Sequence, residues 1–247
     1  MMEPTEIAVI VVAVLIGFFI KGVTGIGAPL FIIPLIAGVT GLEFAVTVIA
    51  IPTLIANTWL LWDTRGSVPE VGWFMWPLLV AGAIGTVFGA WALLNVDGRV
   101  MTLVLAGFIL AYIAWSAFNR DFELSDQWAR RLAAPAGLLG GVLQGGTGAS
   151  GPVVATYVHS LHLERAGFVL AVTIPFEILG MVQVATLAAL GGYDRERLTA
   201  AAIATIPALL AMRPAMRLGK RLPQETFRSI VLVVLGLAAV RLIWIAL

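Results

Sequence analysis

The sequence predicts an all-α polytopic membrane protein made of two inverted repeats. Three observations predict it: composition, an internal duplication and the distribution of basic residues. Of the 247 residues, 60% are hydrophobic and 12% charged, where a soluble globular domain carries about 45–50% and about 25%. Mean hydropathy is +1.01, so most of the backbone sits in hydrocarbon and satisfies its own hydrogen bonds as helix. A formal net charge of +1 leaves no electrostatic footprint for nucleic acid, and Cys 0 excludes disulfides, thiol redox chemistry and cysteine metal sites. The N-terminus reads Met-Met-Glu-Pro-Thr-Glu, without the basic region or small-residue cleavage site of a secretory signal. The first apolar segment is therefore expected to stay in the fold.

The duplication carries a fixed register. Gly22, Thr24, Gly25, Pro29 and Ile51-Pro52 recur as Gly145, Thr147, Gly148, Pro152 and Ile174-Pro175, each pair 123 positions apart (22 to 145, 51 to 174). Pro77 recurs as Pro207, and Arg99, Gly107 and Trp115 recur as Arg228, Gly236 and Trp244. The halves run from about Met1 to Phe118 and from Leu132 to Leu247. Between them Asn119 to Arg131, with Arg120, Asp121, Glu123, Asp126, Arg130 and Arg131, reads as a solvated linker. Neither half buries its polar interior alone, so residues 1–247 are expected to form a single transmembrane domain.

Each half opens on a segment too long for one span. Ile7 to Val39 as one helix would be about 50 Å long against a hydrocarbon core of about 30 Å, and glycines interrupt it at 22, 25 and 27. It must break, either as a crossing broken helix or as a re-entrant hairpin. Three full spans follow: Phe44 to Trp62, Val71 to Leu94 and Val100 to Phe118. In the second half the spans are Ala166 to Leu190, Leu198 to about Leu218 and Thr226 to Ile245.

Charge bias separates the two geometries. With both openings re-entrant, Arg65, Arg120, Arg130, Arg131, Arg165, Arg213, Arg217, Lys220, Arg221 and Arg228 lie inside. That is ten against four outside, Arg99, Arg195, Arg197 and Arg241. With both openings crossing, the count is seven against seven. Hairpins are therefore expected, with both termini outside. A hairpin plus three crossings inverts the second half, the signature of secondary transporters.

The hairpin tips are Lys21 to Pro29 and Gln144 to Pro152. Pro29 and Pro152 suit the first turn of a helix, so the second arm of each hairpin starts there. The glycines before them leave backbone N–H groups aimed at the point where two helix N-termini would meet, a setting for an anion. Thr24, Thr147 and Ser150 add hydroxyl donors, with Gly25, Gly27 and Gly148 giving backbone access. Lys21 adds a full charge that an anionic substrate would offset. Its counterpart Gln144 is neutral, so the halves differ at the site. The competing readings are close helix packing for the glycines and snorkelling for Lys21.

Glu177 lies inside a span and is the candidate for carrying a coupling proton or cation, with a structural ion pair as its alternative. An unchanged pH dependence of transport in a Glu177→Gln variant would remove it from that role. Asn57, in the matching helix of the first half, is a candidate for lining the same cavity or for an interhelical hydrogen bond. Arg213 reads as interfacial and Arg241 as snorkelling. His159 and His162 stand three apart beside Glu164 and Arg165, but a third ligand is not evident; no metal or cofactor is expected. Trp59, Trp62, Trp73, Trp76 and Trp128 suit an interfacial belt.

Two glycine-rich tips followed by proline, one per half, in a chain of about 250 residues, resemble the TauE/SafE family of anion exporters, most strongly at Gly22 to Pro34 and Gly145 to Pro152. The resemblance implies a permease for small sulfur-containing anions such as sulfite, sulfoacetate or related organosulfonates in a bacterial-type plasma (inner) membrane. Its partners would be that anion and the lipid bilayer, and a homo-oligomer such as a dimer is open. The family's first tip commonly shows consecutive glycines, where this chain has Gly25-Ile26-Gly27-Ala28. Two other classes compete. A passive anion channel could use the same dipoles and Lys21. A rhomboid-like serine protease would use Ser150 of Gly148-Ala149-Ser150-Gly151. Its base would have to be a later histidine, and none follows His162; His159 lies about 13 Å along the same arm.

Overall fold

The computed structural model describes residues 2–24, 27–64, 75–118, 125–161, 165–219, 236, 239–244 and 246. Among these, nine helices follow in order: α1 (Pro4–Thr24), α2 (Ala28–Thr40), α3 (Leu42–Thr64), α4 (Trp76–Asn95), α5 (Gly98–Phe118), α6 (Asp126–Thr147), α7 (Gly151–His159), α8 (Arg165–Ala189) and α9 (Arg195–Gly219). Residues 239–244 are also helical. Six of the helices, α1, α3, α4, α5, α8 and α9, are long and apolar enough to cross a membrane. The expected spans are found to within a few residues at each end; most of Thr226 to Ile245 lies outside the described residues, as do Val71 to Phe74.

Each opening segment breaks where its glycines stand. Gly27 (φ 87°) precedes α2, and Gly148 (φ 67°) ends α6; at this φ a Cβ would crowd the carbonyl, so glycine fits without strain. Pro29 and Pro152 fall in the first turns of α2 and α7, where the missing N–H costs no helical bond. In both openings the second arm folds back. Gly17 of α1 faces Ile32 of α2, and Gly140 of α6 faces Val154 of α7. Gly17 and Gly140 are themselves 123 apart, a further point of the duplication. The linker stretch is partly helical: α6 starts at Asp126, so Trp128, Arg130 and Arg131 sit in its first two turns, with the Arg131 guanidinium over the Trp128 ring at 5.5 Å.

By its contacts the chain divides into two units. The first holds Met1–Pro52, Asn95–Arg120 and Tyr193–Leu247; the second holds Thr53–Leu94 and Asp121–Gly192. Inside the first, α1 packs along α2 and α9, with Gly22 against Met212 and Ala215. Glu43, at the start of α3, is ion-paired to Arg197, at the start of α9, at 2.6 Å. Asp194 accepts from the Arg197 N–H at 2.7 Å and caps α9.

Inside the second unit, α6 lies on α4 at backbone contact. Gly137, Gly141 and Gly145 of α6 face the backbone of Leu78, Gly82 and Thr86 of α4, three glycines at one-turn spacing that let two membrane helices approach closely. The opposite face of α4 carries Ile84, Val87, Phe88 and Trp91, all exposed. Apolar side chains outward and small or polar ones inward is the arrangement for a chain whose solvent is lipid. Trp62, Trp76 and Trp128 are exposed at helix ends, as an interfacial belt requires.

Candidate functional site

The first tip belongs to the first unit. Lys21, in the last turn of α1, is 2% exposed, so its ammonium does not reach solvent. A cation in that turn also faces the negative end of the α1 dipole, which offsets part of its burial. Gly22 holds α1 against α9: a Cβ there would lie 2.5 Å from the Ala215 Cβ and 3.0 Å from the Met212 oxygen. Gly25, and the side chain of Thr24, lie outside the described residues.

The second tip belongs to the second unit and is fully described. Gln144, Thr147, Ser150 and Gln183 are all buried, none more than 6% exposed. Ser150 Oγ donates to Gln144 Oε1. Gln144 Nε2 donates to Gln183 Oε1 at 2.8 Å, and Gln183 Nε2 donates to the Gln144 carbonyl at 2.7 Å. Thr147 Oγ1 donates to the Leu143 carbonyl of its own helix at 2.7 Å. Hydroxyls expected to face a ligand are thus engaged within the tip.

Two helix ends meet at this tip, and they have opposite signs. The α7 N-terminus brings N–H groups, and Ser150 at its cap makes no side-chain capping bond. The α6 C-terminus brings carbonyls, a negative end that the expectation of converging N-termini left out. Gly148 and Ala149 N–H cap two of those carbonyls, Gln144 at 2.9 Å and Leu143 at 3.3 Å. Gln183 supplies a second donor to Gln144 O.

On α8, Gln183 is the residue bonded to the tip. Glu177, six residues earlier, accepts from Thr58 Oγ1 of α3 at 2.7 Å. Asn57, next to Thr58, is 1% exposed. Sequence reasoning missed both Gln183 and Thr58. Gln183 had a visible signal, a carboxamide inside an apolar span where the position 123 before it is Leu60.

Of the remaining candidates, His159 is exposed at the end of α7 and meets Phe168 edge-on at 6.1 Å. His162, Glu164 and the Arg165 side chain lie outside the described residues, and among the described residues no cluster suited to a metal is present. Arg213 and Arg217 are exposed toward the end of α9, and the Arg241 guanidinium lies over Gly38 of α2.

A buried polar tip in an apolar helical chain can desolvate a small polar or anionic solute within the membrane. In comparisons with known proteins, the model of the family described as Sulfite exporter TauE/SafE matches residues 9–242. No curated protein and no solved structure matches the chain.

Proposed function

The chain belongs to the sulfite exporter TauE/SafE family, membrane transporters rather than enzymes, and from that premise we propose that it carries a small sulfur-containing anion, sulfite or an organosulfonate, by alternating access around its hairpin tips. The observation that carries the reading is the buried polar tip of Gln144, Thr147, Ser150 and Gln183 in a chain that otherwise turns apolar residues to lipid. The closed ring of hydrogen bonds there supports a carrier over a passive channel, because a channel needs a continuous water path. Ser150 spends its proton on Gln144, an arrangement for holding a tip rather than for a nucleophile.

Parity supports inverted repeats. The 2.6 Å pair of Glu43 and Arg197 needs the starts of α3 and α9 at one face, since the hydrocarbon is about 30 Å thick. Between those starts run four single spans, α3, α4, α5 and α8, and the α6–α7 hairpin. Four crossings return the chain to its starting face, so the hairpin must add an even number. Re-entry satisfies this and a single crossing does not. The contact of Arg241 with Gly38, near the end of α2, supports the same face for the end of the C-terminal helix. With the α1–α2 hairpin folded in the same way, each half has three crossings, and the second half is upside down. In a cysteine-free chain this is directly testable. Val96→Cys and Glu196→Cys are expected to label from the same side with an impermeant thiol reagent, and Ser125→Cys and Leu218→Cys from the other. Val96→Cys and Glu196→Cys on opposite sides would sink the topology.

By charge bias the face bearing Arg213 and Arg217 is cytoplasmic and the termini are outside, and membership of the family supports a bacterial-type inner membrane. A monovalent anion leaving a negative-inside cell gains about 2.3 kcal/mol per 100 mV, so export needs no coupling ion. Labelled sulfite loaded into proteoliposomes is expected to leave saturably, and faster when the interior is made negative. Absence of saturable flux of both sulfite and sulfoacetate would reject the substrate class.

A further inference from the structure

Every hairpin tip has a polarity problem that the family reading does not address. The arm that enters brings the negative end of its dipole to the point where the arm that leaves brings its positive end. An anion held at the second tip would therefore meet the α6 carbonyls as well as the α7 amides. The two halves handle this differently. In the first, the last turn of α1 carries Lys21, a cation, and the position in α3 that corresponds to Gln183 is Leu60. In the second, the last turn of α6 carries Gln144, and α8 presents Gln183.

We propose that Gln183 is a positioning residue that makes the second tip acceptable to an anion; the inference rests on the transport reading above. Two hydrogen bonds define the role. Gln183 Oε1 accepts from Gln144 Nε2 at 2.8 Å, which turns the Gln144 carboxamide so that its oxygen faces Ser150 Oγ. Gln183 Nε2 donates to the Gln144 carbonyl at 2.7 Å, with Gly145 O at 3.5 Å, so a donor covers the end of α6 at the tip. One carboxamide thus orients the side chain that holds Ser150 and masks the backbone oxygens that would repel the substrate. It is 1% exposed, and in a dry site such pairing counts for more than it would in water.

Gln183→Glu separates the two roles. Glutamate has the same size and still accepts from Gln144 Nε2, but as a carboxylate it cannot donate to Gln144 O and adds negative charge. Gln183→Leu, which copies the first half, removes both bonds. With labelled sulfite in proteoliposomes, Gln183→Glu is expected to raise KM at least tenfold, with maximal flux per folded transporter lowered less than threefold. Gln183→Leu is expected to raise KM a few-fold. A residue that only supports the fold would lower the amount of active protein and leave KM where it was. Wild-type flux with KM unmoved in Gln183→Glu overturns the role of Gln183 alone, whether or not Gln183→Leu accumulates. Absence of flux in the wild type overturns the transport reading, and this inference with it.

Discussion

Replacing Lys21 with methionine is expected to reduce sulfite flux at subsaturating concentration by roughly 10- to 150-fold while leaving folded protein in the membrane. A hydrogen bond from a charged donor is worth about 1.5–3 kcal/mol, and each 1.4 kcal/mol is about tenfold in affinity. Lys21 is 2% exposed, so its charge acts through low dielectric, and methionine keeps most of the volume while removing the desolvation cost. The favourable place of the lysine at the C-terminal turn of α1 contributes about 0.3–1 kcal/mol to stability. Purified Lys21→Met should elute and melt as the wild type does. Flux at wild-type level would exclude the first tip from the substrate path. Loss of folded protein would instead make Lys21 a structural cation of α1.

The parts of this architecture that depend on local chemistry were legible in the sequence. The breaks at Gly27 and at Gly148, with proline in the next turn, follow from glycine and proline, and α2 and α7 start where those residues put them. The spans followed from apolar length. Partner choice was not legible. Gln183 reaches the tip from 39 residues away in sequence, and a polar residue in an apolar helix does not announce which way it points. Glu177 stands out in sequence because a carboxylate in a span is costly, yet it accepts a hydrogen bond from Thr58 of α3, and the neutral carboxamide of Gln183, six residues on, bonds to the tip. The charge density of Asn119 to Arg131 reads as a solvated linker, and within that stretch α6 already starts at Asp126. On the proposed topology α6 is a re-entrant arm that starts at the interface, and the arginines and Trp128 in its first turns suit such a start.

The glycine register of α6 and α4 leads to the second large effect. Gly141→Val is expected to leave no folded protein, and Gly141→Ala to lower the thermal midpoint by roughly 6–12 °C, the equivalent of about 3 kcal/mol for a chain of this length. A Cβ on Gly141 would lie 2.0 Å from the Gly82 oxygen and 2.9 Å from its Cα. These are backbone atoms, so no side chain can swing away to make room, and one helix must lift off the other. Gly107→Ala on α5 is the control. Nothing lies within 4 Å of its Cβ position, and alanine is the better helix former by about 1 kcal/mol, so it should melt at or slightly above the wild-type midpoint. The same register reaches the site through Gly145, one turn farther along, whose Cβ would meet the Thr86 oxygen at 2.1 Å. Gly145→Ala should therefore shift the end of α6 that carries Gln144, and its flux should fall further than its stability. If Gly141→Ala and Gly107→Ala melt alike, α6 does not rest on the backbone of α4, and the second tip loses the support that holds its carboxamides in place.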